Sequence, residues 1–378
     1  MAKYALILSF LMLALSADRA FSQQQPFESS GRLILGPYEE LTASVATGDL
    51  DGDGDMDVVV ANGRHWPGQN RIFYNNGNGV FTVEQSLGTV RSTSYAAELA
   101  DLDGDGDLDI AVGNDMAPNA LFFNDGRGNF SRGPAFGALY APTRNLTLAD
   151  LNADGAVDIL ITNRSRANEI CLNDGAGGFP RCLEFGSRED STIDVEVADM
   201  DGDGDPDLVL ANRDAQPNYV YLNGGQLAFD KKIPFGSGSD HTRSVAVGDF
   251  DQDGFQDIAL ANIRGPNTIY FGDREAPFSR SAVFDPSEDR SFAIAATDLD
   301  ADGDLDIVLG NAGSPNAVFY NEDGGKRWER TILSDEPWNT YDIISTDLNN
   351  DGLPDLIEAN SEAINRYYLN RIRKDSSR

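Results

Sequence analysis

The sequence predicts an all-β chain folded as a seven-bladed β-propeller of four-stranded blades, closed by an N-terminal strand that completes the last blade. Three observations carry this. An acidic nonapeptide recurs seven times, beginning at Asp49, Asp101, Asp150, Asp199, Asp249, Asp298 and Asp347, with steps of 52, 49, 49, 50, 49 and 49 residues. Each interval reads as four short strands divided by turn residues, with no sustained helical periodicity. The last unit stops after its third strand, Asn365 to Asn370, while a stray strand, Gly31 to Leu35, precedes the first acidic loop. Four strands repeated seven times is the pattern of a propeller rather than a sandwich. Pairing the first strand with the last unit removes the edges that an open array would expose.

In chain order, residues 1–22 read as a signal peptide: Lys3 is the positive start, Tyr4 to Leu15 the apolar core, and Ala20-Phe21-Ser22 the small-residue cleavage site. The apolar run is too short to span a bilayer comfortably, so no transmembrane segment is expected. The expected location is secreted or periplasmic. Residues 23–30 read as a linker, 31–370 as the propeller and 371–378 as a polar tail.

The second unit shows the local logic. Ala96 to Leu99, Leu108 to Val112, Ala120 to Phe123 and a segment from Phe130 onward are the strands. Asn124-Asp125-Gly126-Arg127-Gly128-Asn129 is a hairpin turn whose glycines supply positive φ. Other positions keep the beat. A hydroxyl residue stands seven before each starting aspartate (Thr42, Ser94, Thr143, Thr192, Thr242, Ser291, Thr340), in a place suited to capping an inner strand. An asparagine stands thirteen after it (Asn62, Asn114, Asn163, Asn212, Asn262, Asn311, Asn360), and a second opens the third strand.

The acidic loops follow the spacing Asp-x-Asp-x-Asp-Gly-x-x-Asp. Oxygen atoms at positions one, three and five, a carbonyl at seven and a carboxylate at nine suit calcium, which takes six to eight hard oxygen ligands. Position twelve is apolar in the first four loops (Val60, Val112, Ile161, Leu210) rather than glutamate, so a strand–loop–strand site is expected, not a helix–loop–helix one. The expected ligands are Asp49, Asp51, Asp53 and Asp57; Asp101, Asp103, Asp105 and Asp109; Asp150, Asn152, Asp154 and Asp158; Asp199, Asp201, Asp203 and Asp207; Asp249, Asp251, Asp253 and Asp257; Asp298, Asp300, Asp302 and Asp306; and Asp347, Asn349, Asp351 and Asp355. Up to seven structural calcium ions are expected, and catalysis by them is not. The 62 acidic residues against 29 basic ones, a net charge of −33, make nucleic acid an unsuitable partner. Cys171 and Cys182, the only two cysteines, flank one hairpin turn and are expected to form a disulfide.

These repeats resemble the FG-GAP and VCBS repeats of the integrin α-subunit propeller and its bacterial relatives, over residues 31 to 370. Pairs such as Phe136-Gly137, Phe185-Gly186 and Phe235-Gly236 fit, while Phe284-Asp285 and Leu333-Ser334 depart. The resemblance implies metal loops on one face and ligands on the other. Integrin propellers bind proteins, some fungal propellers of similar repeat type are lectins, and a few relatives are parts of enzymes.

On the face opposite the acidic loops the chain gathers arginine, aromatic and both histidine residues. Arg64, His65, Trp66, Tyr95, Arg144, Arg213, His241, Arg243, Arg264, Phe292 and Tyr341 are the candidate ligand-binding residues, with the loop Asn62–Asn70 the longest of its kind. Guanidinium groups suit carboxylate, sulfate or phosphate. The expected function is a monomeric recognition and cell-adhesion module for a protein or carbohydrate ligand. The alternative is a lyase or hydrolase acting on an acidic sugar at the same face, with His65, His241, Tyr341 and the arginines as its acids, bases and electrophiles. No nucleophile elbow, phosphate loop or zinc signature is present.

Overall fold

The computed structural model describes residues 26–372, so the expected signal peptide and the last six residues of the tail lie outside the described residues. The described residues form seven four-stranded antiparallel sheets arranged as the blades of a propeller. Six blades are built from four consecutive strands, inner to outer, and the seventh takes its outer strand from the N-terminal end of the described residues. The inner strands are Thr42–Gly48, Ser94–Ala100, Thr143–Ala149, Thr192–Ala198, Thr242–Gly248, Ser291–Thr297 and Asn339–Thr346, here numbered blades 1 to 7. No helix among the described residues is long and apolar enough to cross a membrane.

The second strand of every blade begins at the ninth residue of its acidic loop, as in Asp57–Asn62 and Asp109–Asn114, and every residue in it is buried. This strand has a neighbouring blade on both of its faces, so it reads as a continuous apolar run rather than an alternating one. Seven apolar clusters result, one for each blade interface. Between blades 1 and 2, for example, Leu50, Val59, Ala61 and Ile72 pack against Ala97, Ile110, Val112 and Phe122. The cluster between blades 7 and 1 joins Leu348, Ile357 and Tyr367 to Val45, Val58 and Phe73, which closes the ring.

A second, polar ring runs beside the apolar one. In blade 1, Thr42 Oγ1 donates to Asn62 Oδ1 at 2.8 Å and Asn62 N donates to Asn70 Oδ1 at 2.8 Å. Asn70 Nδ2 then crosses to Ser94 Oγ of blade 2 at 2.9 Å. The same crossing recurs from Asn168 to Thr192, Asn218 to Thr242, Asn267 to Ser291, Asn316 to Thr340 and Asn365 to Thr42. At the interface of blades 2 and 3, Asn119 bonds the Phe136 carbonyl at 3.5 Å instead. The periodic hydroxyls therefore join blades, a larger role than capping one strand.

Closure departs from expectation in detail. The strand that completes blade 7 is Phe27–Glu28, paired with Asn370 and Leu369, and it lies in the segment read as linker. Within Gly31 to Leu35 only Ile34 pairs, with Arg366. Leu35 is buried between blades 7 and 1 and Gly36 turns away at φ 70°, so this segment is spent on plugging the seam. Arg371, read as tail, donates from its amide to the Pro26 carbonyl at 2.7 Å. The disulfide expectation matches the geometry. Cys171 and Cys182 stand directly opposite in the outer hairpin of blade 3, with their sulfurs 2.01 Å apart.

Candidate functional site

The acidic loops all join an inner strand to the buried second strand, so they cluster on one face. In loop 1, Asp49 Oδ1 accepts the amides of Gly52 and Asp53 at 2.8 and 3.2 Å, and its Oδ2 accepts Gly54 at 3.0 Å. These bonds curl the loop and bring positions one, three and five together. Asp57 anchors its base by accepting Leu50 N at 3.0 Å and Asn75 N at 2.8 Å. Three carboxylate oxygens lie within 4.8 Å of one another in Asp49/Asp51/Asp53, Asp101/Asp103/Asp109, Asp199/Asp201/Asp203 and Asp249/Asp251/Asp257. Asp51 Oδ1 and Asp251 Oδ1 are buried with no hydrogen-bond partner.

Electrostatics in these loops is unfavourable without a cation. Burial, partly offset by the backbone amides, pushes Asp57, Asp109, Asp207 and Asp355 up to about 6 and Asp257 and Asp306 up to about 7. Arginines reach two of the loops: Arg280, from an outer strand, stands 2.5 Å from Asp251 Oδ2 and 3.6 Å from Asp253 in loop 5, and Arg371 Nη1 stands 3.7 Å from Asp351 in loop 7.

The opposite face surrounds the mouth of a central channel of about 610 Å³ lined by all seven inner strands. In six of the seven blades the residue after the periodic hydroxyl lines this channel, which brings Tyr95, Arg144, Arg243, Phe292 and Tyr341 into one ring. Arg64 joins it from the long loop of blade 1. Its guanidinium lies 4.1 Å from the Tyr341 ring centroid and donates from Nη1 to Ser361 Oγ at 2.7 Å, while its Nε is buried without a partner. Arg243 lies 5.7 Å from the Phe292 ring and 5.9 Å from the Tyr341 ring. Burial holds its guanidinium below the ordinary arginine value. Among the described residues no carboxylate comes within ion-pair distance of Arg64 or Arg243, in contrast to Arg144, Arg164, Arg188 and Arg213.

A polar relay flanks the mouth. Asp115 accepts Nδ1–H of His65 at 2.8 Å and Nη1–H of Arg144 at 2.7 Å. With its proton on Nδ1, His65 accepts the Tyr95 hydroxyl at Nε2, also at 2.8 Å. His65 is 55% exposed and Trp66, beside it, is 72% exposed. The structure thus unites Arg64, His65, Tyr95, Arg144, Arg243, Phe292 and Tyr341. His241 and Arg264 stand apart as exposed loop residues of blade 5, and Arg213 pairs with Asp214 at 3.5 Å.

Sequence reasoning missed Asp115, which organises the relay, and four carboxylates inside the channel: Glu98, Asp194, Glu196 and Asp342. Burial pushes Glu98 well above the usual carboxylate range, with Asp342, Glu196 and Asp194 adding to it. Burial and then Asp194 push Glu196 up to about 8, and burial takes Asp342 to about 6. The available signal was an acidic residue two or four places after the periodic hydroxyl, inside an otherwise apolar inner strand.

The three Asn-x-Ser/Thr motifs, at Asn129, Asn145 and Asn163, differ in exposure. Asn129 is exposed, whereas Asn145 bonds Asp194 within the channel and Asn163 is fully buried.

A chain of the crystal structure of BBS1N in complex with ARL6DN, soaked with mercury, superposes with a TM-score of 0.60 at 12% identity, covering 92% of this chain and 97% of that one. Raptor of Chaetomium thermophilum gives 0.61 at 12% identity over 93% of this chain and 29% of that one. YCF48 from Cyanidioschyzon merolae gives 0.57 at 13% identity, over 89% and 97%. At such identities the likeness is one of fold. No curated protein matches the sequence. The FG-GAP-like repeat family matches in six overlapping windows, 49–112, 101–161, 150–210, 199–260, 249–309 and 298–358, each running from one acidic loop through the second strand of the next blade. The chain belongs to the FG-GAP-like repeat family.

Proposed function

We propose that this chain is an exported, calcium-stapled recognition module that takes an anionic protein or carbohydrate ligand at the channel mouth opposite its acidic loops. The observation that carries the reading is the pair Arg64 and Arg243, two guanidiniums without carboxylate partners, both within 6 Å of the Tyr341 ring, at 4.1 and 5.9 Å from its centroid. A cation left unpaired in a partly dry site is costly unless a ligand supplies the anion. The fold supports a binding role, and the BBS1N propeller, whose structure is in complex with ARL6DN, is a protein-binding example of the architecture.

Calcium fits the acidic loops. The orphaned oxygens of Asp51 and Asp251 and the aspartates whose charge burial disfavours would be satisfied by a divalent cation with flexible oxygen coordination. The N-terminal segment and the Cys171–Cys182 bridge suit an oxidising, calcium-rich compartment. The ions would hold the loops and perform no chemistry.

The test is binding by the calcium-loaded protein to an array of neutral, sulfated and uronic-acid glycans and to immobilised protein ligands, with a chelator control. Arg64→Gln and Arg243→Gln should each weaken retained binding at least about tenfold, the scale of one charge-assisted hydrogen bond. Binding untouched by both substitutions would refute the site. A second reading rests on the Tyr95–His65–Asp115 relay. Beside arginines that neutralise a uronate, this relay is suited to moving the proton in an elimination, and release of an unsaturated sugar product is its assay.

A further inference from the structure

The mouth holds cations without an ion-pair partner among the described residues, Arg64 and Arg243 at Tyr341 and Arg290 at Phe292, above a channel of carboxylates and flanked by an apolar rim, and this combination narrows the ligand. Arg64 and Arg243 face Tyr341 without a carboxylate of their own. One residue deeper on the inner strands stand Asp194 and Asp342, and two residues beyond that Glu98 and Glu196. At roughly 3.3 Å per strand residue, the lower tier lies about 10 Å below the arginines. An anion is therefore welcome at the mouth and repelled by Asp194 and Asp342 just below it. A ligand with charges repeated along its length would drive its second charge against Asp194 and Asp342 or leave it outside.

The rim beside this mouth is apolar and not purely aromatic. Trp66, Met116, Leu139 and Tyr140 are all exposed. Their loops are tied together, because His65 bonds Asp115 and Met116 N donates to the Ala141 carbonyl at 2.8 Å. Sugar rings stack on aromatic faces, but Met116 and Leu139 offer none. Tryptophan, tyrosine and methionine beside arginine are the enriched composition of a protein interface.

Resting on the reading of this mouth as the recognition site, we propose that the ligand is a protein segment that inserts a single aspartate or glutamate side chain between Arg64 and Arg243 and lays an adjacent apolar residue on the Trp66–Met116–Tyr140 rim. The planar guanidiniums match the carboxylate, Tyr341 backs both, and the acidic tier limits entry to one negative group.

The experiment uses the full mature chain in millimolar calcium against two probe sets. One is an octapeptide array, each peptide carrying one Asp or Glu beside one apolar residue, with Asn or Gln counterparts and peptides bearing three acidic residues in a row. The other is a glycan array carrying single uronates. The expected result is retention of single-acid peptides at least tenfold over amide counterparts and over triple-acid peptides. Arg243→Gln and Arg64→Gln should each abolish that preference, and Arg188→Gln, which removes an exposed arginine paired with Glu184, should not. Arg64→Gln keeps the test open if Arg243→Gln fails to fold, since unfolding melts of each variant are recorded. Uronate binding that depends on Arg64 and Arg243, without peptide binding, overturns the protein ligand while leaving the mouth as the recognition site. Binding insensitive to both substitutions, or none to either array by folded protein, overturns both.

Discussion

Asn365 donates from Nδ2 to Thr42 Oγ1 at 3.0 Å across 323 residues of sequence, the hydrogen bond by which the last blade grips the first. The same asparagine accepts the amide of Asn360 at 2.7 Å, so one side chain serves its own blade and the next. Both groups are buried, and the bond has its counterpart at five other interfaces.

Removing this side chain should therefore open the seam. Asn365→Ala leaves the Asn360 amide unsatisfied and is expected to cost about 2–3 kcal/mol, since a buried unpaired group forfeits its desolvation penalty as well as the bond. The exposed Asn78→Ala should cost under about 0.5 kcal/mol. Denaturant melts of both variants in calcium check this, and equal midpoints would remove the seam from the account of stability.

Leu50 fills the cluster between blades 1 and 2 and is completely buried. Leu50→Ala should cost about 3–4 kcal/mol through lost transfer energy and the cavity left behind. Because Leu50 also lies one residue after the first loop aspartate, calcium titration of the variant separates the two effects. Packing loss lowers stability at saturating calcium, whereas a loop effect disappears there.

Calcium removal should lower the thermal midpoint strongly. Binding to the native state stabilises it by an amount that grows with the ratio of free calcium to its dissociation constant, about 2.7 kcal/mol per site at a hundredfold excess. A chelator scan against a calcium titration reads this directly, and magnesium at equal concentration should substitute poorly. Arg280→Gln should raise calcium affinity at loop 5, because a guanidinium now sits against Asp251. A midpoint indifferent to chelator would rule out the staple role.

Within the channel, Glu196 titrates near 8 when folded against an ordinary glutamate value near 4.5 when unfolded. The folded state thus holds the proton more tightly. Its stabilising contribution is full below the unfolded value and is lost as pH rises towards 8. Asp194 stands two residues before it on the same inner strand, Glu98 and Asp342 line the channel from the inner strands of blades 2 and 7, and Arg243 from that of blade 5. Glu196→Gln should flatten the decline between pH 5 and 8 and add about 1–2 kcal/mol at pH 8, a figure reduced for channel water. Melts across that range at saturating calcium are the measurement, and a slope unchanged by the substitution would exclude Glu196 as its source.

The Cys171–Cys182 bridge closes a short loop in a single outer hairpin. Its reduction should cost about 2–3 kcal/mol at most, by the loop-entropy scale, and leave the propeller folded. A Cys171→Ser, Cys182→Ser double variant that fails to fold in calcium would show that the bridge does more than tether one blade edge.

Blade number, blade boundaries and the acidic loops were legible because each is written in residues close together in the chain. The curl of loop 1 needs only Asp49, Gly52, Asp53 and Gly54, and the second strand Asp57–Asn62 follows at once as a buried apolar run. The two-residue closing strand Phe27–Glu28 was not legible, since a pair of residues has no periodicity. Its position is selected by the edge that Leu369 and Asn370 offer, and by Leu35 being drawn into the seam instead.

The seven-fold repeat, its glycines and its carboxylates thus belong to local chemistry, where backbone conformation and ligand spacing act within about ten residues. The channel mouth belongs to the ring. Arg64 meets Tyr341 and Ser361 only because blade 1 is brought beside blade 7, and Asp115 holds His65 and Arg144 only because blades 1, 2 and 3 present their loops at one end. Arg188 and Arg213 find Glu184 and Asp214 within four residues of chain, whereas the pairing of Arg144 with Asp115 and the placement of Arg64 at Tyr341 depend on neighbours that the linear order separates by tens to hundreds of residues.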